Sequence, residues 1–253
     1  MTGAHIVASD VALRYATRSV LHGVDLSVAP GELVALLGPS GCGKSSLLRT
    51  VAGLTKPTGG SVRIDGNVVE GPRPDVVFAF QDPCLLPWLT VEHNVAFGLT
   101  FRRQPQLSRA DRKRRVKDAL AAVGLSHART WLPSQLSGGM AQRAALARCL
   151  AREPRALLLD EPFGALDEVT RAGMQQLLLE TVRRTGAAAL FVTHDIDEAL
   201  IVADRIALLG NRGTLAGQWA IDLPHPRTTQ IQSLGELRIS ILQALHNSIT
   251  EAA

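Results

Sequence analysis

Gly38-Pro39-Ser40-Gly41-Cys42-Gly43-Lys44-Ser45 follows directly on the apolar run Leu33–Leu37. A glycine-rich loop placed there limits the chain to folds in which a buried strand delivers a loop to a helix. The glycines let backbone N–H groups turn inward around phosphates, Lys44 brings a cation to the β and γ groups, and Ser45 offers a hydroxyl to Mg²⁺. Residues 46–52, opening at Ser46, read as a helix whose positive N-terminus faces the same phosphates. The ligand this implies is a nucleoside triphosphate.

The downstream motifs narrow the class. Leu136-Ser137-Gly138-Gly139-Met140 opens a helix running to about Ala151, and Ala156-Leu157-Leu158-Leu159-Asp160-Glu161 is a short apolar run ending in two carboxylates. Asp160 stands where a Walker B aspartate holds Mg²⁺, and Glu161 beside it is placed to act as base for an attacking water. Gly164-Ala165-Leu166-Asp167 follows, His194 closes the run Leu190-Phe191-Val192-Thr193, and Gln81 ends the run 76–80. In order and spacing this series resembles the ATP-binding subunit of an ABC transporter, from about Tyr15 to Asp204. A P-loop kinase or GTPase would share the first loop but not the Ser137-Gly138-Gly139 turn or His194. An ABC-type ATPase acting on DNA or ribosomes would show a long coiled-coil insertion or tandem halves.

The resemblance implies an α/β P-loop NTPase fold: a RecA-like core, an antiparallel β side sheet and an inserted helical lobe. Residues 4–224 would form the ATPase domain, with the lobe at about 90–152, and 225–253 a helical tail. The patterns agree. Runs 33–37, 76–80, 156–159 and 187–193 are continuously apolar, as parallel strands covered on both faces are. Val24, Leu26 and Val28 alternate with polar residues, and Asp65-Gly66 lies between two short strand patterns, a hairpin signal. Lys44, Gln81, Asp160, Glu161 and His194 all fall at the C-terminal ends of strand patterns, where open α/β sheets bind ligands. Ser108 with Asp111 reads as a capping box, Gly124 as a helix stop, and Pro154 bounds the Ser137 helix. Ile231, Leu234, Ile241, Leu245 and Ile249 recur near helical spacing, so the tail is expected to fold back on the core.

The resemblance also implies roles. Tyr15, the only tyrosine, would stack on adenine. Gln81 would reach Mg²⁺ or the attacking water and report to the helical lobe, and His194 would contact the γ-phosphate and orient the water. Ser45, Gln81 and Asp160 would hold Mg²⁺. Ser137, Gly138 and Gly139 would serve the nucleotide of a second copy paired head to tail, with Asp167 aligning the two sites across the seam. Met140 departs from the family's usual glutamine. Cys42, inside the loop, is a small residue filling space, although neighbouring amides could stabilise its thiolate.

Composition sets further bounds. At 253 residues one two-lobed domain fits. No apolar stretch reaches the about 18 to 20 residues that cross a bilayer, and the N-terminus lacks a charged-then-apolar signal segment, so a soluble chain is expected. Cys42, Cys84 and Cys149 have no paired spacing, which argues against a disulfide framework or a zinc site and fits a reducing cytosol. The net charge of +4 is mild, and Arg112-Lys113-Arg114-Arg115 reads as a solvated helix face opposite Val116, Leu120 and Val123, so no nucleic-acid partner is expected.

Gln81-Asp82-Pro83-Cys84-Leu85-Leu86-Pro87-Trp88, Asn94-Val95-Ala96-Phe97-Gly98-Leu99 and Glu161-Pro162-Phe163-Gly164-Ala165-Leu166-Asp167 resemble the ATPase subunits of nitrate, sulfonate and taurine importers. That implies a peripheral subunit on the cytoplasmic face of a bacterial inner membrane, a separate permease docking near Gln81 to Trp88, and an extracytoplasmic substrate-binding protein. The substrate itself stays open, as does the alternative of another importer, an exporter or a non-transport P-loop NTPase.

Overall fold

A computed structural model describes residues 3–16, 18–227 and 230–250. Among these residues the strands form two sheets. β1 (Ile6–Tyr15), β2 (Arg18–Val28), β4 (Gly59–Ile64) and β5 (Asn67–Val68) make an antiparallel sheet in the order β2-β1-β4-β5. β3 (Leu33–Leu37), β6 (Val76–Ala79), β7 (Ala156–Asp160), β8 (Ala188–Val192), β9 (Arg205–Leu209) and β10 (Leu215–Ala220) make the second, ordered β10-β9-β3-β8-β7-β6. Five strands of this central sheet run parallel, and β10 joins β9 antiparallel at its edge. The expected hairpin turns at Asp65-Gly66 between β4 and β5. Four of the parallel strands were expected. The fifth, β9, lies just past the stretch that carries the motifs, although Ile206-Ala207-Leu208-Leu209 is as apolar as the others.

Strand alternation divides the interior in two. Val34, Leu36, Leu158, Leu190 and Leu209 face the antiparallel sheet and α1 (Lys44–Val51), packing with Ile6, Leu21, Leu47 and Leu48. Leu33, Leu37, Leu159, Phe191 and Leu208 face the other helices. Each parallel strand is thereby buried on both faces, which accounts for its unbroken apolar sequence. The helix after the phosphate loop sits between the two sheets, and it begins at Lys44, two residues before the expected start.

α2 (Val91–Ala96), α3 (Arg109–Ala122) and α4 (Gly138–Leu150) pack on one another, with Val116, Leu120 and Val123 buried as the spacing predicts. Ser108 caps α3 by accepting the Asp111 N–H at 3.0 Å. The capping box is incomplete, because the Asp111 carboxylate takes the Ser108 hydroxyl at 2.6 Å, not the Ser108 backbone N–H. Gly124 adopts φ +69° and ends the helix. No helix among the described residues is long and apolar enough to cross a membrane.

α5 (Glu168–Thr185) and α6 (Ile196–Val202) flank β8, and α7 (Ile231–Thr250) forms the tail. The tail returns to the core through buried Leu234 and Ile241, while the side chain of Ile231 lies outside the described residues. Arg227 fastens the approach. It is 2 % exposed and donates to the carbonyls of Leu223 at 2.9 Å, Leu200 at 3.1 Å and Ile221 at 3.0 Å, and to that of Ala203. Leu200 and Ala203 end α6, whose last carbonyls lack helical partners and attract a cation. Arg227→Ala should therefore leave several acceptors unpaired and lower stability by about 3 kcal/mol in urea unfolding. A change below about 1 kcal/mol would show that the tail is held by its apolar face alone.

Candidate nucleotide site

The C-terminal ends of β3, β6 and β7 open onto one polar cavity of about 520 Å³, lined by Tyr15, Arg18, Val20, Ser40, Gly41, Gly43, Lys44, Ser45, Ser46, Gln81 and Glu161; His194, after β8, stands behind Glu161 and does not line it. Strand order explains this gathering: β3, β8, β7 and β6 are neighbours and point the same way, so their terminal loops share an edge. The phosphate loop is backed by β9, for a Cβ at Gly38 (φ +155°) would strike the Leu209 carbonyl oxygen. At Gly43 the backbone takes φ +110° and leaves room for Val20 and Leu21 beneath the loop.

Lys44 is buried, and its ammonium donates to the carbonyls of Gly38 at 2.7 Å and Pro39 at 2.8 Å. The side chain is folded into the arch of its own loop. Ser45 donates its hydroxyl to Asp160 Oδ1 at 2.9 Å. Burial raises the Asp160 carboxyl above its ordinary pKa, and the Ser45 hydroxyl opposes that shift. A hydroxyl and a carboxylate oxygen beside a phosphate loop fit Mg²⁺, which takes few protein ligands and completes its shell with substrate phosphates and water. No cluster of three or more His, Cys, Asp or Glu able to form a protein-only cage exists among the described residues.

Glu161 sits one residue past β7 with φ +47°, a left-handed conformation uncommon for a residue with a Cβ. Its carboxylate is shared. Gln81 Nε2 donates to Oε2 at 3.2 Å, and His194 Nδ1 lies 3.4 Å from Oε1. Three loops from three strands thus converge on one partly exposed carboxylate. Tyr15 leaves 45 % of its surface exposed at the rim. Arg18 and Val20 line the cavity beside it and were not anticipated. Their signal was their position three and five residues after Tyr15, at the start of the next strand.

Ser137, Gly138, Gly139 and Asp167 do not line this cavity. Ser137 caps α4, accepting the Met140 N–H at 3.3 Å, and the Met140 side chain packs partly buried against the core. Asp167 caps α5 by accepting the Thr170 N–H at 3.0 Å, and the Thr170 backbone and hydroxyl hold its carboxyl below the usual range. The two turns abut, with Leu166 Cδ2 3.3 Å from where a Cβ on Gly139 would lie.

The stretch from the phosphate loop past Glu161 matches the family model described as ABC transporter, over residues 21–164. The chain belongs to the ABC transporter family. It is 49% identical over 237 residues to the aliphatic sulfonates import ATP-binding protein SsuB 1 of Xanthomonas axonopodis pv. citri, covering 92% of this chain and 93% of that protein. It is 44% identical over 209 residues to the bicarbonate transport ATP-binding protein CmpC of Synechococcus elongatus, covering 82% of this chain and 31% of the longer relative. Among solved structures, a dimeric ATP-binding cassette in a post-hydrolysis state with ADP and Pi superposes with TM-score 0.79 at 33% identity, over 87% of this chain and all of that one. The expected P-loop fold and family are both met.

The space-filling role expected of Cys42 agrees with its surroundings. Cys42 is 4 % exposed and burial raises its thiol pKa despite the nearby Lys44, so the loop does not present a stabilised thiolate. Cys149 is pushed up to about 11 by burial, while Cys84 is exposed. A thiol reagent at neutral pH should label Cys84 quickly and the other two only after unfolding. Fast labelling at Cys42 in a Cys84→Ser variant would contradict this burial.

Proposed function

We propose that this chain is the ATP-hydrolysing subunit of a bacterial importer for aliphatic sulfonates, acting as a head-to-tail pair with each nucleotide held between two copies. The observation that carries the hydrolytic reading is the Glu161 carboxylate, shared between Gln81 and His194 at the mouth of the phosphate loop. Water positioned there attacks the γ-phosphorus and the bond to the β-phosphate oxygen breaks, releasing ADP. Glu161 takes the proton, a role worth about 10²- to 10⁴-fold in rate. Lys44 and the amides opening α1 hold the charge on the phosphates. Ser45, Asp160 and Gln81 would hold Mg²⁺, which when bound neutralises phosphate charge.

Tyr15 stacks on the base, with Arg18 and Val20 beside it. The Ser137 turn, absent from this chain's own cavity, serves the partner's γ-phosphate, and Asp167 lies at the seam. Met140 supplies only its backbone N–H to that turn. The division into an ATPase domain at 4–224, with a helical lobe at about 90–152, and a tail at 225–253 follows the same reading.

The permease docks beside Gln81, where Trp88 is 72 % exposed. The four apolar residues Leu85, Leu86, Pro87 and Trp88 are not alike, however. Leu85 packs partly on the core and the Leu86 backbone is tied to Asn94 by two hydrogen bonds, so Pro87 and Trp88 carry the contact. On this reading the subunit lies on the cytoplasmic face of the inner membrane, below a permease fed by an extracytoplasmic binding protein. The sulfonate assignment follows the names of the relatives.

Glu161→Gln should bind ATP, turn over at least about 100-fold more slowly and accumulate as an ATP-bound dimer in gel filtration. Cells that depend on this chain should then fail to grow on an alkanesulfonate as sole sulfur source. Near-normal hydrolysis by the variant would remove Glu161 from the role, and growth that never depends on the chain would remove the sulfonate.

A further inference from the structure

Glu198 lies outside the nucleotide cavity, yet it is a carboxylate buried to 8 % exposure one helical turn from His194. Burying a charge is costly unless it is paired or well hydrogen-bonded, so its partners show what the position is used for. Gln175 Nε2 on α5 reaches Oε1 at 3.5 Å, and the Thr193 hydroxyl lies close enough to lower its pKa. Both partners are themselves buried. Burial raises the Glu198 pKa, Asp195 adds to the shift, and Thr193, Gln175 and Arg171 oppose it.

The same Thr193 hydroxyl accepts the Asp195 N–H at 3.1 Å, and Asp195 Oδ1 in turn accepts the Glu198 N–H at 3.1 Å. The residues on either side of His194 are therefore bonded to each other and, through Asp195, to Glu198. His194 itself has a side chain 67 % exposed and no tight packing to fix it. Its 3.4 Å approach to Glu161 depends on where the backbone holds it.

The connection continues across α5. Arg171, one turn before Gln175, donates from Nη2 to the Leu166 carbonyl at 3.0 Å, in the turn that ends at Asp167. Leu166 is also the residue against which Gly139 packs. A contiguous path thus runs from the His194 loop through Thr193, Glu198, Gln175 and Arg171 to the turn beside the head of α4.

We infer that Glu198 is a positioning residue for hydrolysis, holding the His194 loop at the Glu161 carboxylate and tying it through α5 to the Asp167 turn. The inference rests on the assignment of His194 to the γ-phosphate side of the site. It adds that the loop is set from behind by a buried carboxylate, and that a shift of the Asp167 turn on association reaches His194 through these bonds. Thr193, Glu198, Gln175 and Arg171 do not line the nucleotide cavity, so binding and turnover should separate.

The test is a double-mutant cycle on the full chain, with turnover, ATP KM and thermal unfolding measured for Glu198→Ala, His194→Ala and both together. Glu198→Ala should lower kcat about tenfold or more, leave KM within about twofold, and cost nothing further on the His194→Ala background. Glu198→Gln, which keeps an acceptor for Thr193, should recover most of the loss. Thr193→Val, which removes the linking hydroxyl at similar volume, should reproduce it and keeps the test open if Glu198→Ala does not fold. The same fractional loss on the His194→Ala background would mark a general packing defect and overturn the inference, as would wild-type kcat in both Glu198→Ala and Thr193→Val. Wild-type turnover in His194→Ala alone would instead remove His194 from the site, and the inference with it.

Discussion

The phosphate loop is braced from behind before any ligand arrives, and the rest of the site depends on that bracing. Gly38 lies directly against the Leu209 carbonyl of β9, and Gly43 rests over Val20 and Leu21. Lys44 fills the arch by donating to the loop's own carbonyls. A loop so tightly backed presents its amides without having to be ordered on binding, which is where preorganised electrostatic sites derive their strength. Its helix is equally fixed, since Leu47 and Leu48 are buried between the two sheets.

Around that fixed element the other groups arrive on separate strands. Asp160 and Glu161 end β7, Gln81 follows β6 and His194 follows β8, so the parallel order β3-β8-β7-β6 is what makes them neighbours. Their surroundings divide the chemistry. Asp160 is buried and engaged with the Ser45 hydroxyl, a setting suited to a metal ligand. Glu161, one residue later, is turned by a left-handed backbone toward Gln81 and His194, a setting suited to a base. Adjacent carboxylates thereby serve different purposes.

Much of this was legible in the sequence because each motif is local. The glycine loop, the paired carboxylates and the serine cap of α4 are read within a few residues of themselves, and continuous apolar runs mark the strands that carry them. What escaped was set by tertiary contacts. β9 has the same apolar pattern as its neighbours, but it carries no chemistry and was passed over, although its carbonyl backs the phosphate loop. Arg18 and Val20 reach the cavity only because β1 and β2 pair in an antiparallel register, Tyr15 opposite Arg18. How deeply Cys42 is buried shows only in the fold. Leu85 likewise reads as surface beside Trp88, yet it packs against the core.

The central claim is that a working site needs two chains, the Ser137 turn of each copy serving the nucleotide of the other. Lys44→Ala disables the phosphate loop and Ser137→Arg blocks the turn offered to the partner. Each variant alone should be inactive, and a mixed pair retains one composite site with both residues intact. Mixing the two purified variants and measuring ATP hydrolysis is the direct test. Activity should return to roughly a quarter of the wild-type level, because about half of randomly formed pairs are mixed and each holds one of two sites. Hydrolysis that stays at the level of the separate variants, together with wild-type specific activity that does not change with chain concentration, would contradict a site shared between two copies.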